Sequence, residues 1–223
     1  LAVHNYHDTF RLFPNVNCGG LNFSTLSGAS LFASILPYIE QAAGYNQYDF
    51  NLANSDPYNQ AVTGQRIEVY LCPTAAFPRH VPGCDQDRGR APGTYAVNIG
   101  SLDYNQYWSF FGSPRPDLNG PIVYTDSVAG KTAMRDIIDG TSSTLLVGET
   151  AYNLPDYLFR SSSADCAGQS RYSFTYWANP YPGSTACTTQ YAFNPRDIPG
   201  DGLFDPNWTR SFRSDHVGGV QFL

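Results

Sequence analysis

The chain has 223 residues, a net charge of −6, 42% hydrophobic residues and 14% charged ones, enough apolar content for one packed domain but well under the ~25% charge of an average protein. Its 13 Lys and Arg are scattered, which excludes a phosphate-neutralising patch and so nucleic-acid binding, and no apolar run reaches the ~20 residues of a membrane span. With 16 Tyr, 14 Phe, 20 Gly and 16 Pro against a single Met, the composition fits a loop-rich, β-rich extracytoplasmic domain with a neutral, aromatic surface.

Residues 1–13 place Leu1, Val3, Tyr6, Phe10 and Phe13 at helical spacing. Phe13-Pro14 closes that helix, because a residue before proline is pushed out of the α region. Residues 30–43 read as a second helix with Leu31, Ile35, Leu36, Ile39 and Ala42 on one side, and Pro37 predicts a kink or late start. A polar Tyr/Asn-rich connection covers 45–58. Ile67-Glu-Val-Tyr-Leu71 alternates and predicts a buried strand before Cys72-Pro73. Residues 74–93 form a long loop, 94–99 a short strand, 101–120 an aromatic loop and 122–124 another short strand. Asp139-Gly140 predicts a turn. Thr144–Val147 then reads as a core strand, Tyr172–Trp177 as another, and Val220–Leu223 closes the chain. Helices first and short strands after predict an α+β fold: an N-terminal helix packed on an antiparallel sheet with long Pro/Gly/aromatic loops. The whole of 1–223 is read as one domain.

The five cysteines sit in loop-like surroundings without zinc-finger spacing, which favours disulfides and an oxidising compartment. Cys166–Cys187 is the first pairing expected and Cys72–Cys84 the second. An odd fifth thiol is left over. Asp197, Asp201 and Asp205 are spaced four apart beside Gly, a hard-oxygen set that suits Ca²⁺ or simply caps its own turns. His4 and His7 share a helix face, as metal ligands or as partners of loop backbone. Ser214-Asp-His216 holds the three residue types of a hydrolytic triad, but neighbours in sequence cannot converge on one another. Glu149 with Asp136 or Asp139 is the other catalytic option, a carboxylate pair. Asn22-Phe-Ser24 and Asn207-Trp-Thr209 match a glycosylation tripeptide that is common by chance. Tyr107, Trp108, Phe110, Phe111 and Trp177 belong to two aromatic clusters that suit subunit contacts, core packing or stacking on sugar rings.

Five segments together resemble the domain of unknown function 1559 family. They are Leu1-Ala-Val-His-Asn-Tyr-His-Asp-Thr-Phe10 with Phe13-Pro14; Ile35-Leu-Pro-Tyr-Ile-Glu-Gln41; Tyr70-Leu-Cys-Pro73; Asp136-Ile-Ile-Asp-Gly-Thr-Ser-Ser-Thr-Leu-Leu-Val-Gly-Glu149; and Ser214-Asp-His216 with Gly218-Gly219. Members are pseudopilin-like, with a prepilin-type N-terminal segment and a C-terminal His-x9-Asp-Gly motif. With His216 as its His, the Asp-Gly falls beyond Leu223.

The resemblance implies a hydrophobic helix upstream, of which residues 1–14 are the last turns, with 15–223 as the head. It implies anchoring in the inner membrane before assembly, then a homo-oligomeric filament that includes other pilin-like subunits. A cysteine upstream of Leu1 is an alternative partner for Cys72. Pseudopilins that fold a C-terminal loop around calcium favour Ca²⁺ at the Asp197 loop. Leu1, Tyr6, Phe10 and Phe13 are expected to seat the helix on the sheet, with Leu31, Ile35 and Ile39 beside it. The expected function is a non-enzymatic subunit of a pilus-like or type II secretion pseudopilus-like filament. The alternative is a membrane-tethered surface module that contacts glycan or protein through its aromatic loops.

Overall fold

Helix α1 (Ala2–Phe10) buries Val3 and Tyr6, one turn apart. It stops because Arg11 turns left-handed (φ 61°) and returns its N–H to the His7 carbonyl, three residues before the proline expected to end it. Phe13 is then only 2% exposed, pinned by its N–H donating to the Thr132 carbonyl at 2.8 Å. The computed structural model describes residues 1–17, 28–75, 81, 88–102, 118–125, 130–150, 175–180, 183–194 and 210–223.

The predicted second helix exists in pieces. Ser30 caps α2 (Leu31–Ser34) by accepting the Ala33 N–H. Pro37 falls in the first turn of a 3-10 segment, Leu36–Ile39, which Glu40 ends in a left-handed conformation. A new helix, α3 (Ala42–Gln47), follows. Another, α4 (Pro57–Thr63), starts inside the stretch read as a polar connection. Its signals are Asp56, whose carboxylate accepts the Tyr58 N–H at 2.8 Å, and Pro57 in the first turn. Asn59 of α4 is buried because its amide donates to the Asp49 and Ala53 carbonyls and accepts the Asp49 N–H.

Ile67–Leu71 is not a strand. Glu68–Tyr70 is a 3-10 turn that buries Ile67, Tyr70 and Leu71 and leaves Val69 61% exposed. The buried set is spaced i, i+3, i+4, so the helical period rather than the alternation marked the core face.

The main sheet has β2 (Tyr95–Asn98) at its centre. On one side β4 (Val147–Glu149) runs antiparallel, with Tyr95 opposite Glu149. On the other β5 (Ala186–Cys187) runs parallel. The fold is thus α+β with a mixed rather than wholly antiparallel sheet. The strand read at Thr144–Val147 begins at Val147, because a 3-10 turn (Thr141–Ser143) follows the Asp139-Gly140 turn. Gly140 takes φ +87° there. A small second sheet pairs β1 (Val16–Asn17) in parallel with β3 (Tyr124–Thr125). The last residues flank β4: Leu223 exchanges backbone bonds with Val147, and Phe222 bridges Gly148. The main neighbour of α1 is the Leu36–Ile39 segment rather than the sheet.

The core carries buried phenols. Tyr70 donates its hydroxyl to the Phe32 carbonyl at 2.6 Å and Tyr48 donates to the Gly28 carbonyl at 3.2 Å. Burial pushes both groups up, and burial likewise raises the Cys187 thiol, with Arg213 and Arg210 partly opposing. The neutral forms are therefore favoured in the native state. Their contribution is intact below the unfolded-chain values, about 8.5 for Cys and 10 for Tyr, and is lost as pH rises past them. Urea midpoints should stay flat from pH 7 to 8 and fall above about pH 9. Each additional proton released on unfolding steepens the fall by about 1.4 kcal/mol per pH unit. Tyr70→Phe should make the fall shallower, whereas an unchanged slope would show that Tyr70 does not contribute.

Candidate functional site

Three segments meet at the Glu149 end of β4. Cys72 follows the Glu68–Tyr70 turn, and its N–H donates to the Thr94 hydroxyl at 2.6 Å. The Thr94 N–H reaches back to the Tyr70 carbonyl, and the Thr94 carbonyl accepts the Thr150 N–H at 2.8 Å. One residue at the entrance of β2 thus fixes both the Cys72 loop and the end of β4.

Glu149 is 4% exposed. Its N–H donates to the Gln221 carbonyl and its carbonyl accepts the Arg213 N–H. Residues 213 and 222 bridge to 150 and 148, so the turn between them carries His216 over this end of the strand. That turn is locally built: Ser214 accepts the His216 N–H at 3.1 Å and donates its own N–H to the Asn194 side chain. Gly219 supplies the φ of +115° that a residue with a Cβ would resist.

The His216 Nε2 lies 2.9 Å from Glu149 Oε1 and 3.5 Å from Cys72 Sγ. The other carboxylate oxygen, Oε2, accepts the Gln221 N–H at 3.1 Å. The Thr74 hydroxyl lies 3.2 Å from both Sγ and Nε2. Cys72 and Glu149 are buried, while the imidazole is 27% exposed, so the site opens to solvent on the histidine side. Thiol, imidazole and carboxylate are also the residue types of a nucleophilic triad. Such a relay uses opposite ring nitrogens for nucleophile and carboxylate, whereas here both face Nε2. The arrangement can act as a buried ion pair or as a convergent set of metal donors, all within 4.8 Å of one another.

Other expected residues fall elsewhere. Trp177, read as a contact residue, is core: it is 1% exposed, and its indole N–H donates to the Gln65 carbonyl at 3.0 Å. The cause is its position beside Tyr70, whose ring centre lies 5.8 Å away. Of the residues expected to seat the helix on the sheet, Tyr6 and Phe13 are buried, with Tyr6 edge-on to Tyr38 of the Leu36–Ile39 segment at 6.1 Å rather than on the sheet; Phe10 is 52% exposed, and Val3 lies inward beside Tyr6. His4 is exposed. His7 accepts the Met134 N–H at 3.1 Å and stacks near Phe13, so the two do not form one ligand pair. Asp136 caps the Ala133 N–H, whereas Glu149 pairs with His216. Tyr107, Trp108, Phe110 and Phe111, the acidic loop of Asp197, Asp201 and Asp205, both glycosylation tripeptides, and Cys18, Cys84 and Cys166 lie outside the described residues. Cys72 and Cys187 are both buried.

In the sequence each member of the cluster has another role that fits it locally: disulfide, carboxylate pair or linear Ser-Asp-His. A signal is nevertheless there. Cys72, Glu149 and His216 lie at or beside the ends of three of the five segments that carry the family resemblance. Among the described residues, no helix is long and apolar enough to cross a membrane. No curated protein and no solved structure matches the chain. The family described as "protein of unknown function (DUF1559)" matches across residues 1–223, and the chain belongs to it.

Proposed function

We propose that this chain is the head of a pseudopilin-like, non-enzymatic structural subunit. It would assemble with copies of itself and with other pilin-like subunits into a pilus-like or type II secretion pseudopilus-like filament outside the cytoplasm. Before assembly it would be held in the inner membrane by an apolar helix upstream of Leu1. The observation that carries this reading is the family match across residues 1–223, since the resemblance to that family implies a prepilin-type helix leading into α1. The apolar face of α1 fits such a helix: Val3 and Tyr6 are buried against the body, and Phe10, packed on the Tyr6 ring at 4.5 Å, remains half-exposed at the end of the same face.

Electron microscopy of the full-length product at its native surface tests the reading. Regular filaments with Leu1 continuing into an axial helix are expected. Isolated, membrane-tethered heads would overturn it and favour a surface binding module, with Trp108 and its aromatic neighbours as the first groups to mutate. Replacing Phe10 with Gln should lower filament yield while costing the head about 1 kcal/mol, the worth of its contact with the Tyr6 ring 4.5 Å away. Unchanged filament yield would remove α1 from the assembly surface.

A further inference from the structure

The geometry points to a transition-metal site of zinc-like chemistry formed by Cys72, Glu149 and His216, with Thr74 at its rim. The donor set is thiolate, imidazole and carboxylate, the combination that borderline-soft divalent ions take and that calcium does not.

The spacing fits one central ion. Bonds of about 2.0 Å to nitrogen and oxygen and 2.3 Å to sulfur place tetrahedral neighbours about 3.5 Å apart for N and S, and about 3.3 Å for N and O. The observed separations from His216 Nε2 are 3.5 Å to Sγ and 2.9 Å to Oε1. The hydrogen-bonded N–O pair must widen by a few tenths of an ångström once a metal replaces the shared proton, and the sulfur and carboxylate lie within the 4.8 Å that spans the whole set. The Thr74 hydroxyl lies 3.2 Å from both Sγ and Nε2, at the rim of the same cluster. Thr74 itself or a water beside it completes the shell.

Charge balance agrees. A buried carboxylate and a thiolate are costly when uncompensated. With neutral imidazole they carry two negative charges, which one divalent cation cancels. The ligands are also held in place before any ion arrives. Cys72 is fixed by its N–H on Thr94, and Glu149 by the backbone of Arg213 and Gln221 on three sides. His216 rides on the Ser214 turn. Such outer partners orient ligands and tune affinity. The ion would staple three segments, with Cys72 and His216 separated by 144 positions in the chain, and would lock the C-terminal turn onto β4. This inference stands whether or not the protein polymerises.

The test uses the full chain, purified with reductant, stripped with chelator and titrated with Co²⁺ and then Zn²⁺. One equivalent of Co²⁺ should produce a thiolate-to-cobalt charge-transfer band that Zn²⁺ abolishes. Cys72→Ser should remove the band. Glu149→Gln and His216→Ala should weaken binding by more than about 100-fold, and Thr74→Ala by about tenfold. His4→Ala should leave it unchanged. A ligand variant that fails to fold does not blunt the test, because the unmodified chain supplies a second reading. Site-resolved alkylation should show Zn²⁺ slowing modification of Cys72 by at least about tenfold, while Mg²⁺ and Ca²⁺ do not. The proposal is overturned by a folded chain that gives no thiolate band, by a band that survives Cys72→Ser, or by native protein in which Cys72 is held in a disulfide.

Discussion

Trp177→Ala should lower the unfolding free energy by about 3–5 kcal/mol, the range for removing a buried aromatic ring without collapse of the space it leaves. The side chain is 1% exposed. It also joins parts of the chain that meet nowhere in sequence. Its indole N–H satisfies the Gln65 carbonyl beyond α4, and its own carbonyl accepts the Ser30 hydroxyl that starts α2. Its ring neighbours Tyr70, and its Cβ sits so close to Gly93 that a Cβ there would lie 3.0 Å away. Truncation therefore leaves a cavity and orphans one carbonyl. Trp177→Phe keeps most of the apolar volume and should lose about half as much, mainly the hydrogen bond and residual space. Urea unfolding with an unchanged slope measures both. A loss below about 1 kcal/mol for Trp177→Ala would place this residue back among contact groups at the surface.

That residue also marks what the sequence could and could not say. Aromatic clustering identified Trp177 as important but not whether it faced in or out, because exposure depends on partners as remote as Gln65 and Ser30. Local physics was legible where it acted locally. Pro37 broke its helix, Gly140 made its turn, and the helix-then-strand order gave the α+β class. It failed where two periods fitted the same residues, as at Ile67–Leu71, where the helical spacing set the burial. It also failed for the edge of the sheet, since a parallel neighbour such as β5 is chosen by long-range packing. The Cys72–Glu149–His216 cluster is the extreme case. Each member has an ordinary local reason to exist, and long-range hydrogen bonds bring them together: Thr94 on Cys72, and Arg213 and Gln221 on Glu149.

Gly120→Ala should cost about 3 kcal/mol, at the upper end for overpacking, because a Cβ there would overlap backbone rather than a side chain that could swing away. The overlap falls on the Ile99 carbonyl carbon and the Gly100 nitrogen. Neither can retreat. Gly120 itself donates to the Ile99 carbonyl at 3.1 Å, and the Gly100 N–H is held by the Asn98 side chain. The Gly100 carbonyl accepts from the Thr188 hydroxyl at 2.8 Å and from the Thr189 N–H at 2.9 Å. Gly218→Ala is the matched control. It lies in the turn beside His216 with nothing within 4 Å of its new methyl, and should stay within about 0.5 kcal/mol of the parent. The contrast has a consequence at the other end of β2. That strand is four residues long, and its entrance, Thr94, holds Cys72 and Thr150. Strain at Gly100 that loosens β2 should release the Cys72 loop as well. Thiol modification of Cys72 should then speed up in Gly120→Ala in step with its lost stability, and remain at the parent rate in Gly218→Ala. Equal stabilities for the two variants would rule out the close backbone crossing. A destabilised Gly120→Ala with an unchanged Cys72 rate would show instead that the two ends of β2 open independently.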